Sequence, residues 1–179
     1  MATYKEIHGV NVQYREEDAT AIIGDVWYNA STGKLKMYSS VGAWSSAGAQ
    51  NTARGGGTSA GTQTAALSYG TGEIVDCESY DGSSWTEIAN TNAGRDHSGG
   101  CGTQTAALYA AGSSTSALSE EWDGTSWTEG NDINTGRGQV GCGGTQTDAI
   151  IFGGAPSLKV ETEEYNGTSW SEQNDLNAG

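Results

Sequence analysis

Three arginines recur at nearly even spacing in this sequence. Arg54, Arg95 and Arg137 each follow a tryptophan (Trp44, Trp85, Trp127) by ten residues. A guanidinium repeated in this way has two uses. A ring of them around a channel would bind an anion. Turned inward, they would bond backbone carbonyls or the acids of a neighbouring unit. A register shared by every unit favours the inward, structural role.

Other chemistry-bearing residues are few. His8 and His97 sit in unrelated contexts, and no HExxH or Cys/His cluster has metal-ligand spacing. His97 is flanked by Asp96 and Ser98, but neighbours along a strand point to opposite faces, so this trio is not expected to converge. The run Arg54-Gly55-Gly56-Gly57-Thr58 lacks the lysine and following helix of a phosphate loop. Asp81, Asp123 and Asn166 each precede a glycine; one carboxylate apiece falls short of a calcium shell, and hairpin geometry explains them better. Cys77, Cys101 and Cys142 fit neither a disulfide framework nor a CxxC site, and read as buried or half-buried thiols. No catalytic set, cofactor or metal is expected, and the chain reads as a non-enzyme.

The elements that hold these residues form a repeat. Gly61-Thr62-Gln63-Thr64 returns as Gly102-Thr103-Gln104-Thr105 and Gly144-Thr145-Gln146-Thr147, each running into an apolar strand that ends on glycine. A second block, Glu78-Ser79-Tyr80-Asp81-Gly82-Ser83-Ser84-Trp85, returns around Trp122 and Trp127 and again around Tyr165 and Trp170. Here an aromatic closes one strand, Asp-Gly or Asn-Gly turns, and tryptophan opens the next. The tryptophans 44, 85, 127 and 170 set a period of 41–43 residues. The 28 glycines, with isolated aromatics and few helix formers, point to short strands and tight turns. A single sheet of this length cannot bury both faces, so the units must stack, with Tyr and Trp supplying the apolar area between them.

The order arginine, apolar strand, Gly-Gly, acidic strand with tyrosine, short turn, tryptophan resembles the kelch motif, most clearly from Arg137 through Ile150-Ile151-Phe152-Gly153-Gly154 to Tyr165 and Trp170. The resemblance implies an all-β protein of kelch-like β-propeller blades, four antiparallel strands each, about 42 residues long. The first two units keep one glycine of the pair, and the Tyr–Trp interval is short for that family. The expected organisation is an N-terminal segment, 1–33, a half unit, 34–53, and units 54–94, 95–136 and 137–179. The next arginine would fall at position 180, so the array is expected to continue and the ring to be incomplete within this chain.

Residues 1–26 stand outside the repeat. Val10-Asn11-Val12-Gln13-Tyr14 and Ala21 to Tyr28 read as strands, and Asn29 to Gly33 as a turn into Lys34-Leu35-Lys36-Met37-Tyr38. The opening, Met1 to Tyr38 with Gly24-Asp25-Val26-Trp27-Tyr28-Asn29, resembles the start of virion-associated proteins of marine bacteriophages. That resemblance implies a virion structural protein of tail-fibre or spike type, made in the host cytoplasm, likened to proteins whose N-terminus docks onto other virion proteins. Its repeat domain would bind a host-surface glycan or protein, and the assembly would be oligomeric. The alternatives are a cellular kelch-type protein-interaction module and a glycan-acting propeller enzyme. The connections after each glycine turn vary most, at Glu73 and Ile74, at Ser114 and Thr115, and at Pro156 and Ser157; variable loops on a rigid scaffold are candidate recognition sites.

Net charge is −14, and residues 51–179 hold four basic against seventeen acidic side chains. Such a surface repels phosphate backbones, which excludes nucleic-acid binding. No window is long and apolar enough for a transmembrane helix, so no membrane insertion is expected.

Overall fold

A computed structural model describes residues 13–16, 26–37, 46–113 and 115–177. Trp44, Ser114 and most of the two N-terminal strands expected from sequence lie outside the described residues. The chain divides into two compact units, Met1–Ser46 and Ala47–Gly179. This division cuts the half unit 34–53 expected from sequence, leaving 34–46 with the N-terminal unit and 47–53 with the sheets that follow.

The first unit holds a three-stranded sheet in the order β1 (Gln13–Arg15), β2 (Val26–Asn29), β3 (Lys34–Met37). β1 runs parallel to β2, and β2 and β3 form an antiparallel hairpin. The buried Asn29 side chain shapes the turn by accepting the backbone N–H and the hydroxyl of Thr32, both at 2.9 Å. Tyr14 stacks on Tyr28 at 5.7 Å, and the Arg15 guanidinium lies 5.7 Å from the centre of the Trp27 ring.

The second unit contains three four-stranded antiparallel meanders, one per sequence repeat. The first is β4 (Thr58–Thr62), β5 (Ala65–Thr71), β6 (Ile74–Tyr80) and β7 (Trp85–Ile88). The second is β8 (Gly99–Thr103), β9 (Ala106–Ala110), β10 (Ser119–Trp122) and β11 (Trp127–Glu129). The third is β12 (Gly141–Gly144), β13 (Ala149–Phe152), β14 (Thr162–Tyr165) and β15 (Trp170–Glu172). All described regular structure in the chain is strand, so the all-β expectation holds.

The first strands of the three meanders, β4, β8 and β12, lie side by side. Their glycines allow the approach. A Cβ on Gly100 would stand 2.2 Å from the Thr58 methyl and 2.6 Å from the Tyr69 hydroxyl. At the far end of each first strand, the glycine of the GTQT turn takes a left-handed backbone. Gly102 has φ +99°, and a Cβ there would meet the Ala106 carbonyl at 2.3 Å; Gly61 and Gly144 repeat both features.

Each sheet packs face to face on the next. One face of the first sheet (Ala60, Leu67, Tyr69, Cys77) meets Ala107, Tyr109, Trp122 and Trp127 of the second. The opposite face of the second sheet (Cys101, Leu108, Ala110) meets Ala149, Ile151, Tyr165 and Trp170 of the third. The face carrying the aromatic pair is termed leading, its opposite trailing. The pair faces itself across the hairpin, Tyr80 with Trp85, Trp122 with Trp127 and Tyr165 with Trp170, at ring distances of 4.9, 5.4 and 4.9 Å. Full burial of side chains such as Leu67, Leu108 and Ile151 stabilises by about 1.5–3 kcal/mol each. These few large side chains form the apolar glue between sheets that are otherwise rich in glycine.

Candidate functional site

The repeated arginines are internal. Arg95 and Arg137 are buried, and the Arg54 side chain is 4% exposed. Each lies in the segment entering a sheet and pairs with a glutamate on the third strand of that same sheet. Arg54 meets Glu78 at 2.8 Å, Arg95 meets Glu120 at 2.8 Å, and Arg137 meets Glu163 at 2.5 Å. Further guanidinium N–H groups donate to carbonyls: Arg95 to those of Tyr109 and Ala111, Arg137 to those of Thr135, Gly153 and Glu161, and Arg54 to that of Asp76, while the buried Arg54 Nε has no partner among the described residues. Sequence reasoning allowed acids of a neighbouring unit as partners. The acid belongs to the arginine's own sheet instead, because the entering segment folds back over that sheet's third strand. A ring of anion-binding guanidinium groups does not form, since each guanidinium is buried and already paired with a glutamate.

The glutamates complete a staple that sequence reasoning missed. Each carboxylate also accepts the backbone N–H and the side-chain amide of an asparagine three residues before the arginine. These bonds are 2.7 and 3.0 Å from Asn51 to Glu78, 2.7 and 3.1 Å from Asn92 to Glu120, and 2.7 and 2.9 Å from Asn134 to Glu163. The same amide donates to the carbonyl of Trp85, Trp127 or Trp170. The N–H of Thr52, Ala93 or Thr135 supplies one more donor. Burial pushes the Glu78 carboxyl up, but the N–H groups of Asn51 and Thr52 and the Arg54 guanidinium outweigh it and hold it below the usual carboxylate range. The signal lay in the sequence: Asn-x-x-Arg, and Glu two residues before the aromatic, recur in all three units.

A second missed element is the GTQT glutamine. The Gln104 side-chain amide donates to the Tyr80 carbonyl at 2.6 Å and to the Ser79 hydroxyl at 2.8 Å, on the preceding sheet. Gln146 donates to the Trp122 carbonyl at 2.6 Å. The glutamine thus latches one sheet to the previous one. The Asp-Gly turns work through the aspartate side chain. The Asp123 carboxylate accepts the N–H groups of Thr125 and Ser126, and Asp81 and Asn166 do the same in their turns, while the glycine alone carries the positive φ. These N–H donors hold the Asp81 and Asp123 carboxyls below their ordinary range.

His97 departs from expectation. It sits in the turn before β8 with φ +53°, not in a strand, and its Nδ1 lies 3.1 Å from the Asp96 carboxylate. Neighbours therefore do meet here. The Ser98 hydroxyl is engaged elsewhere, 2.8 Å from that of Thr58 and 3.4 Å from the Arg95 carbonyl, so no Ser–His–Asp relay forms. All three cysteines are free; Cys77 and Cys101 are buried and Cys142 is half-buried. Burial pushes the Cys77 thiol up to about 11. A cleft of about 410 Å³ runs along the first strands, lined by residues such as Ser59, Gly61, Gly100, Cys101, Gly102 and Gly143, with no carboxylate or imidazole in its wall. Among the described residues no three His, Cys, Asp or Glu side chains cluster as a metal site would need.

The candidate recognition loops join second to third strands. The first two pack on the segment entering the next sheet, as in the bonds from Thr91 N–H to the Val75 carbonyl, from Gly112 N–H to the Arg137 carbonyl and from Arg137 N–H to the Ser116 carbonyl. Glu73, Thr115, Pro156 and Ser157 are exposed. Each loop region also exposes one aliphatic side chain: Ile74 and Leu118 at 36% and Leu158 at 99%.

No protein-family model matches the chain, and no curated protein matches it. Among solved structures, that of YjhT is similar in fold, with a TM-score of 0.56 and 11% identity over 82% of this chain and 51% of that one. The chain spans about half the length of that neighbour. At this identity the likeness speaks for the fold alone: small antiparallel sheets packed face to face.

Proposed function

We propose that this chain is a non-enzymatic recognition protein, a kelch-like β-propeller array whose second-to-third-strand loops form the binding edge. One observation carries the reading: three equivalent loop regions on a stapled scaffold each present an exposed aliphatic side chain, Ile74, Leu118 and Leu158. Exposed apolar side chains grouped at one end of a rigid fold are the usual mark of a protein-contacting or sugar-stacking surface. The staples support it too, because they leave the loops free to vary without loosening the sheets. Surface charge narrows the partner. Removing the three buried glutamates from the seventeen acids of residues 51–179 leaves fourteen, against Lys159 as the one cation outside the staples. A partner with neutral or basic surface suits this edge; a polyanion does not.

We further infer, from the resemblance of residues 1–38, that the chain is a virion appendage protein docked through its N-terminal unit. Antibody against the chain should label particles purified from the source lysate. The purified chain should block particle adsorption, and a triple variant, Ile74→Asp with Leu118→Asp and Leu158→Asp, should fold but lose the block. Finding the chain free in cells and absent from particles would defeat the virion reading. Full blocking by the triple variant would defeat the loop assignment.

A further inference from the structure

We propose that Cys101 and Cys142 form a redox site, a thiol pair that hydrogen peroxide converts to a disulfide joining the second and third sheets.

Strand register brings the two side chains together. Cys101 pairs with Leu108 across β8 and β9, so it lies on the trailing face of the second sheet. Cys142 pairs with Ile151 across β12 and β13, so it lies on the leading face of the third. These faces pack on each other, and β8 runs beside β12. Each side chain crosses the junction toward the other strand. The Cys101 thiol donates at 3.4 Å to the carbonyl of Thr145, in the turn that follows β12. The Cys142 side chain lies over Gly99, two residues before Cys101 on the same face of β8. A Cβ on Gly99 would stand 2.9 Å from the Cys142 Cβ and 3.4 Å from its sulfur.

Packing alone does not ask for sulfur here. At the junction of the first and second sheets the equivalent positions hold Ala60 and Gly100. There the Thr58 methyl and the Tyr69 hydroxyl occupy the space above Gly100. At the next junction their equivalents are Gly99 and Ala110, and the room so made takes the Cys142 side chain. Any small side chains would fill it; the chain places two of its three free cysteines there.

The pair is also prepared for reaction. The Cys142 thiol donates to the Cys101 sulfur, which holds the Cys101 thiol below its ordinary range and the Cys142 thiol above its own. Cys101 therefore ionises first, and the thiolate is the form that attacks. Cys101 lines the cleft along the first strands between Gly100 and Gly102, where a molecule as small as peroxide fits. Its thiolate takes one peroxide oxygen as the O–O bond breaks, giving a sulfenic acid and hydroxide. The Cys142 sulfur then attacks the Cys101 sulfur and expels that oxygen. The two thiols lose two electrons, and their protons leave with the peroxide oxygens as two waters. A dithiol reductant reverses the change, so the bridge opens in a reducing compartment and closes in an oxidising one.

The reduced full chain, treated with hydrogen peroxide and then unfolded in iodoacetamide, should show its three free thiols fall to one. Peptide mapping should find Cys101 joined to Cys142, with Cys77 alkylated. The oxidised chain should melt about 5–10 °C higher, and dithiothreitol should return it to the starting value. Cys77→Ser should keep the bridge and the shift. Cys101→Ala, which copies Ala60, and Cys142→Ser should each lose both while far-ultraviolet circular dichroism stays native. Three alkylated thiols after peroxide, oxygen adducts without a bridge, or a bridge through Cys77 would each overturn the site. A Cys101–Cys142 bridge that leaves the melting temperature unchanged would overturn its role as a tie between the sheets.

Discussion

Changing Glu163 to glutamine keeps shape and removes charge at the best-buried staple. Glu163 and Arg137 are both 0% exposed, and the carboxylate accepts four donors: the Arg137 guanidinium at 2.5 Å, the Asn134 N–H and amide at 2.7 and 2.9 Å, and the Thr135 N–H at 3.3 Å. A glutamine offers one oxygen to these donors and turns an NH₂ toward the rest. Arg137 is left charged and unpaired inside the protein. Breaking a buried pair from one side costs about 3–5 kcal/mol, a large share of a domain stability of roughly 5–15 kcal/mol. For a unit of this size each kcal/mol moves the melting temperature by about 2–4 °C, so the variant should melt roughly 10 °C lower. Urea titration and calorimetry measure both quantities. A cycle with Arg137→Met separates the pair from the packing: the double variant should recover part of the loss, since the unpaired charge is gone while the Asn134 and Thr135 donors stay unmet. A Glu163→Gln variant within about 1 kcal/mol of the parent, or a strictly additive cycle, would refute the staple as the element that holds the sheet entry.

Two further outcomes follow from the same geometry. Because the folded Glu78 carboxyl lies below its unfolded value of about 4.3, its contribution is fully present above that value and is lost as pH falls through the lower folded one; stability measured by urea titration should hold from neutral pH to about 5 and decline below it, less steeply in Glu78→Gln. Gly102→Ala should destabilise by about 2–3 kcal/mol, from a left-handed backbone at φ +99° and a Cβ 2.3 Å from the Ala106 carbonyl, whereas Gly55→Ala, where a Cβ meets nothing within 4 Å, should be near neutral by the same titration.

Repetition made the sheet architecture legible in the sequence. The GTQT turn, the Asx-Gly turn and the Tyr/Trp pairs fall where the period places them, because each sits at a strand end whose geometry only a few residue types satisfy. The partners of the arginines were harder to read. Arg137 and Glu163 are 26 residues apart, and nothing local says which of the acids in that interval the guanidinium reaches. Once the entering segment folds back on the third strand, the strand's alternation selects Glu163 and leaves Glu164 in solvent. Gln104 was opaque for a related reason. Its amide looks like any polar turn residue until the preceding sheet brings the Tyr80 carbonyl to 2.6 Å. His97 misled because the strand was placed too early; β8 begins at Gly99, and the left-handed turn before it turns His97 toward Asp96.

The polar staple answers a difficulty posed by the composition. First strands such as Gly99-Gly100-Cys101-Gly102 carry almost no side chain, so apolar packing alone leaves their register weakly fixed. A slip of one residue in the third strand would send Glu120 to the opposite face and strand the Arg95 charge without its carboxylate. It would also break the two bonds from Asn92 and the bond from Ala93 that hold the entering segment. The penalty for one slip is thus an unpaired buried charge and several lost donors at once, more than the small side chains of the first strand could impose. Glycine can then be used freely where sheets converge, because register is enforced one strand pair away by the arginine and its glutamate.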